Sequence, residues 1–276
     1  MAQPPLVIVA AAAREVAAVR RALRVQRRGR WIAYEYAPSD AEGIYRWWEG
    51  EAGGCPLVLI RSGIGPRRAG RAAEEACVEF RPRGLLALGL AGALRADLRP
   101  GALIVAERTR PDGMAGPDPV AVTADAGMLR AAIAAGRAAA IATACGTLVT
   151  LPGLVATPEA KAALAASTGA VAVDMESGAV AAVAARAGLP FLAAKIVFDA
   201  ADEPLHPALL EVVRADGSPR FLRAAGLAAR DPAARAALHW AGRRSRLAAS
   251  ILTRFCRVFL PMVAAGGHLD GGGPFP

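Results

Sequence analysis

A single α/β domain is the fold class the sequence predicts, and three observations carry that prediction. Short, almost wholly apolar runs recur along the chain and read as strands buried on both faces. Between them lie stretches of helical pattern, so strand and helix alternate as in a βα-layered protein. No Pro- or Ser-rich linker divides the 276 residues, whose 54% hydrophobic content is ample for one core.

Taken in order, Leu6 to Ala10 is the first strand, and Arg14, Glu15 and Val16 open the helix after it. Those two charges interrupt the apolar run and no basic region precedes it, which argues against a signal peptide. Leu57 to Ile60 is the next strand; Ser62-Gly63-Ile64-Gly65 follows as a turn, and Pro66 to Phe80 as its helix. Strands are expected at Leu85 to Gly89, Ala102 to Ala106 and Ala138 to Ala144, with Pro111 to Pro119 as a Gly/Pro-rich surface loop. Ala170 to Val173 and Phe191 to Phe198 are the last two strands, joined by a small-residue helix from Ser177 to Arg186 that Gly188 and Pro190 stop. Asp231-Pro232 opens a long helical pattern running to Phe259, which Pro261 and the glycine tail end. The organisation expected is therefore 1–230 as the α/β body, 231–262 as a C-terminal basic amphipathic helix of the same domain, and 263–276 as a flexible tail.

On a helical projection Arg243, Arg246, Arg254 and Arg257 form one stripe of that helix, opposite Leu247, Ile251, Leu252, Phe255, Val258, Phe259 and Leu260. The pattern suits an interfacial helix in peripheral contact with a membrane, and equally a last helix packed on its own domain. It is too short and too charged to span a bilayer. The formal charge of +9 favours an acidic partner, although only Lys161 and Lys195 among the 33 cations are lysines, so a chain-wide bias toward Arg explains the charge as well. Nucleic acid is not an expected partner. Cys55, Cys77, Cys145 and Cys256 lack paired spacing and the three histidines have no partner at ligand spacing, so neither a metal site nor a disulfide framework is expected, and the cytoplasm is the expected compartment.

The chemistry concentrates between Val173 and Asp202. Asp174, Met175 and Glu176 arrive at the carboxyl end of one buried strand and Asp199 at the end of the next, where open α/β sheets bind ligands. An apolar strand has no internal use for the charges of Lys195 and Asp199, which must face a site or each other.

These residues resemble the purine nucleoside phosphorylases and the methylthioadenosine and adenosylhomocysteine nucleosidases, which cut the bond between a purine and its ribose. The resemblance implies a three-layer αβα fold on a mixed, twisted central sheet with a long C-terminal helix. Val173-Asp174-Met175-Glu176 is similar to the family's Met-Glu strand, which makes Glu176 the ligand of the ribose hydroxyls and packs Met175 under the sugar. Val197 to Asp202 is similar to its Ile-Ser-Asp-x-Ala-Asp segment, which makes Asp199 the acid that protonates N7 of the departing base. Glu15 inherits the handling of the attacking water, and Ser62, Gly63, Ile64, Ala91, Gly92, Phe198 and Lys195 are expected to line the pocket. No cofactor is implied beyond inorganic phosphate as a candidate co-substrate, and a homo-oligomer is the family's habit.

The chain also departs from the nucleosidase pattern. Phe198 stands for a Ser, Lys195 for an Arg and Leu90 for a pocket Ser, and the loop Thr150 to Ala156 lacks the Phe expected against adenine. The more apolar pocket and Arg61-Ser62-Gly63-Ile64-Gly65-Pro66 resemble the hopanoid-associated phosphorylases, which implies release of adenine from adenosylhopane, a lipid-linked nucleoside. Two alternatives stand beside it: a nucleosidase of small soluble nucleosides, and a non-catalytic membrane-surface protein on the same fold. Ser62, Arg67 and Arg68 are the candidates to hold a phosphate, but Leu86 to Leu88 lacks the phosphorylases' Arg while Glu15 is kept, which favours hydrolysis.

Overall fold

Leu6–Ala10 forms β1, buried along its whole length because it lies in the middle of a sheet with helices on both faces. In this computed structural model the residues described are 3–32, 44–111, 121–212 and 220–265. After β1 come α1 (Ala13–Arg20), β2 (Arg24–Ile32), β3 (Ile44–Ala52), β4 (Cys55–Arg61), α2 (Pro66–Phe80), β5 (Gly84–Ala93), β6 (Leu103–Pro111) and β7 (Val122–Thr123). The second half contributes α3 (Ala126–Ala138), β8 (Thr143–Thr150), α4 (Pro158–Thr168), β9 (Ala172–Asp174), α5 (Ser177–Arg186), β10 (Phe191–Asp199), α6 (Ala208–Glu211), α7 (Phe221–Arg230) and α8 (Pro232–Ala265).

β1 pairs in parallel with β4 and β5, and β2, β3 and β4 continue the sheet as an antiparallel meander. On the other side β5 pairs with β10, β10 with β6, β6 with β8, β8 with β9, and β9 returns to β5. That circuit closes on itself, bringing the carboxyl ends of β5, β9 and β10 together around one point.

Alternate residues of the central strands feed two cores. Leu6, Ile8, Leu86 and Leu88 pack with α1, α3 and α8; Val7, Val9, Leu85 and Ala87 pack with α2 and α5. The mixed α/β fold with its long last helix is the one the sequence predicts. Small residues let α2 and α5 approach: a Cβ on Gly70 would stand 3.5 Å from that of Ala179.

Three expectations need correction. Residues 138–142 end a helix and turn, and the strand is Thr143–Thr150; the alanine run has helix propensity, and Thr143 to Thr150 holds the β-branched residues. α8 does not stop at Pro261 but carries it inside and runs through Ala265, so 263–265 is helix, while the residues beyond it, like 112–119 of the expected loop, lie outside the described residues. The apolar face of α8 is not offered to a membrane: Leu252, Phe255, Phe259 and Leu260 are wholly buried in the core that α8 shares with α1, α3 and β10, with Phe255 and Phe259 stacked at 4.9 Å. Leu247 stays 45% exposed, and the arginine row Arg243, Arg246, Arg254 and Arg257 faces outward. Of the two placements open to Lys195 and Asp199, the structure takes the first: each faces the buried site described below, with its own partner.

Because Phe255 fills the centre of one core, Phe255→Ala should destabilise the protein by about 3–5 kcal/mol, read as a shift in urea midpoint, whereas Arg254→Ala should change it little. A Phe255→Ala protein as stable as wild type would mean that α8 is not part of this core.

Candidate active site

Glu15 lies in the first turn of α1, where its carboxylate reaches back to the chain end of β1. Its Oε2 accepts from the amides of Ala11 at 2.9 Å and Ala12 at 2.7 Å, and its Oε1 from the amide of Leu90 at 2.8 Å. The helix-start function and the site function are thus one arrangement: the same carboxylate caps α1 and ties it to β5. Gly89 makes room for it, since a Cβ there would come within 2.7 Å of Oε1. Burial raises the pKa of Glu15, against the pull of Lys195 and of the three amides.

At the end of β9, Asp174 accepts from Thr150 Oγ1 at 2.5 Å and from the hydroxyl of Ser177 at 2.5 Å, and its Oδ2 pairs with Lys195 Nζ at 2.9 Å. Asp174 is therefore an internal hub that joins β8, β9, α5 and β10. Glu176 stands at the N-cap of α5, and its Oε1 accepts from the Gly65 amide at 2.9 Å. Gly65 sits at φ 101°, a left-handed conformation that suits glycine and aims this amide at the carboxylate. Burial pushes the carboxyl of Glu176 up to about 8, with Lys195 opposing and Asp174 and Glu15 adding to it. For Lys195 burial acts to lower the pKa, yet the three surrounding carboxylates hold it above its ordinary value.

Asp199 ends β10 after an irregularity: Val197 pairs with Ala91 and Asp199 with Gly92, so Phe198 is an extra residue in the strand. Such a bulge re-aims the next side chain. The Asp199 carboxylate lies over Gly92, where a Cβ would meet its oxygens at 3.2 and 3.4 Å. Phe198 is half-buried, its ring edge-on to Trp240 of α8 at 5.5 Å. The partner of Asp199 is Lys161 of α4, whose Nζ donates to Oδ2 at 2.5 Å. Burial raises the pKa of Asp199, with Lys161 opposing.

The family model of the phosphorylase superfamily matches residues 5–225. The chain belongs to that superfamily. Membership places it among the enzymes that cleave N-glycosyl bonds. Among solved structures it is similar to the 5′-methylthioadenosine/S-adenosylhomocysteine nucleosidase of Helicobacter pylori, at 18% identity and a TM-score of 0.69, covering 92% of this chain and 97% of that one. Futalosine hydrolase of the same organism aligns at 17% identity and a TM-score of 0.70, covering 93% and 97%. The nucleosidase of Neisseria meningitidis aligns at 21% identity and a TM-score of 0.66, covering 92% and 99%. Among curated protein sequences none matches.

The phosphorylase-superfamily fold thus gathers Glu15, Glu176 and Lys195 into one buried cluster, with Ala91, Gly92, Phe198 and Asp199 at the adjoining strand ends. Met175 is half-buried between them in sequence. Ser62 is buried, but its hydroxyl donates to the Gly63 carbonyl at 2.8 Å, and its own carbonyl accepts from Arg68 Nε at 3.0 Å. Gly63 is buried and Ile64 half-buried at the same turn. Among the described residues no group of side chains could hold a metal ion, and no helix is long and apolar enough to cross a membrane.

Sequence reasoning missed two participants. The sequence shows Asp174 only as part of a motif and Lys161 only as one of two lysines. The signal for both was the same: in a chain so rich in Arg, a lysine is kept only at Lys161 and Lys195, and each is an ion-pair partner of a buried aspartate.

The raised carboxyl of Glu176 has a consequence for stability. Between its ordinary value of 4.5 and about 8 the folded state holds a proton that the unfolded state has lost, so folding weakens as pH rises through this window. Glu176→Gln should make that decline shallower, measured by urea unfolding at several pH values; an unchanged slope would show that Glu176 ionises freely in the folded protein.

Proposed function

We propose that this protein releases adenine from a 5′-substituted adenosine, with adenosylhopane as the substrate, by hydrolysis. The observation that carries the reading is Asp199: a desolvated carboxyl with a raised pKa, aimed by a bulge over Gly92 at the closing point of the sheet. Adenine leaves poorly until N7 is protonated. In the proposed step Asp199 gives its proton to N7, the bond between the sugar C1′ and N9 breaks with its electron pair going to the base, and C1′ becomes oxocarbenium-like. Glu176 takes the ribose hydroxyls, and Met175 lies under the sugar. Glu15 orients a water that adds to C1′ and loses its proton, which balances the one spent on adenine.

Hydrolysis is favoured over phosphorolysis by how the donors near the sugar are used. A phosphate needs several convergent donors. The Gly65 amide is taken by Glu176, the Ser62 hydroxyl by a carbonyl, and the Lys195 ammonium is paired with Asp174 amid three carboxylates that disfavour a further anion. The lipid substrate is supported by Leu90 and Phe198 in place of hydroxyl side chains, and by the resemblance of residues 61–66 to the hopanoid-associated branch. With the apolar face of α8 buried, contact with an anionic membrane falls to the exposed row Arg243, Arg246, Arg254 and Arg257. The similarity to nucleosidases of small nucleosides supports a second reading, in which methylthioadenosine is the substrate.

Free adenine measured by chromatography decides between them. Adenosylhopane should be turned over in preference to methylthioadenosine, without a requirement for phosphate, and Asp199→Asn should lower the rate by about 10²–10⁴-fold with the fold intact. Turnover of methylthioadenosine alone would establish the second reading. Replacing the four arginines of the α8 row by Glu should reduce turnover of adenosylhopane in anionic vesicles and leave soluble nucleosides unaffected; equal loss on both would exclude a membrane role for that face.

A further inference from the structure

α4 begins with Thr157 capping the amide of Ala160 and Pro158 in its first turn, an ordinary helix start on the surface. Its one fully buried residue is a lysine. Lys161 is 1% exposed, and its ammonium has three hydrogens and three acceptors: Asp199 Oδ2 at 2.5 Å, the Ala200 carbonyl at 2.7 Å and the Glu203 carbonyl at 2.8 Å. No apolar replacement would satisfy that set, and Arg, with its planar fork, does not match three acceptors converging on one nitrogen.

The other charges facing Asp199 are arranged around the same segment. Glu203 Oε2 accepts from the Ala200 amide at 2.9 Å and its Oε1 pairs with Arg244 of α8, while Arg244 lies over the Trp240 ring at 5.4 Å. Residues 199–203 are thereby held from two sides, by α4 through Lys161 and by α8 through Arg244. Of these groups only Lys161 bonds directly to the Asp199 carboxylate.

Building on the proposed glycosidic cleavage, we propose that Lys161 is the positioning residue for Asp199. It holds Oδ2 so that Oδ1 carries the proton toward the base, and it neutralises the carboxylate left when that proton has gone. Desolvation alone makes Asp199 easy to protonate but a weak acid; the adjacent ammonium offsets this and keeps it able to give the proton up.

Lys161→Met tests this in two ways. With a purine nucleoside kcat should fall about 10–100-fold with little change in KM, while para-nitrophenyl riboside, whose leaving group departs without a proton, should be turned over as in wild type. Independently of any substrate, the Asp199 carboxyl, followed by carbon-13 NMR and assigned with Asp199→Asn, should titrate at higher pH by about one unit or more. The sign follows from removing a cation that favours the ionised form. If Lys161→Met does not fold, Lys161→Gln is read in the same way. An unmoved titration, or equal losses on both ribosides, overturns the role of Lys161. Wild-type protein that cleaves no purine nucleoside overturns the glycosidic reading instead, and the titration still decides whether Lys161 sets the state of Asp199.

Discussion

Four carboxylates, Glu15, Asp174, Glu176 and Asp199, are buried at the ends of apolar strands, and the rest of the site follows from making that tolerable. An unpaired buried charge costs several kcal/mol or gives up its charge. Each group meets the demand differently. Glu15 has three backbone amides; Asp174 has two hydroxyls and Lys195; Asp199 has Lys161. The glycines at 89 and 92 belong to the same constraint, because side chains there would occupy the space of Glu15 and Asp199.

Glu176 is the least provided for, with one amide from Gly65 and Lys195 as an indirect counter-charge. Glu15 and Asp174 are completed by several protein donors each, whereas Glu176 has one. Ribose hydroxyls are donors, and in the proposed complex they would supply what the fold withholds. Binding would then draw the Glu176 carboxyl down from its raised value, coupling substrate affinity to proton release near neutral pH.

The strands were legible because β1, β5 and β10 are buried on both faces and read as unbroken apolar runs. The β2–β3 hairpin was not, since Arg24, Arg27, Arg28 and Arg30 stand on an exposed edge strand and hide its pattern. α8 shows a harder limit. A helix that packs on its own domain and one that lies on a membrane share the same amphipathic signature. What covers Leu252, Phe255 and Phe259 is decided by α1, α3 and β10, elements distant in sequence, which no local pattern reveals. Glu15, Glu176 and Asp199 were legible through their motifs, whereas the partner of Asp199 was not, because Lys161 comes from a surface helix with no motif of its own.

The two lysines bring these threads together. The chain uses arginine at nearly every cationic position, most of them exposed or half-buried. It departs from that habit only where a cation must be buried beside an aspartate. A guanidinium is broad and planar, suited to two parallel contacts, whereas an ammonium is compact and directs three donors from one point. Lys161 uses all three, and Lys195 sits where its charge acts on Asp174, Glu176 and Glu15 at once. In the proposed complex Lys195 would serve the sugar side of the cleft and Lys161 the base side, and the two pairs are separate, since Lys161 and not Lys195 acts on Asp199. In the proposed reaction one carboxyl gives up a proton and another carboxylate accepts hydroxyls, demands that call for different electrostatic surroundings, and two separate cations would provide them.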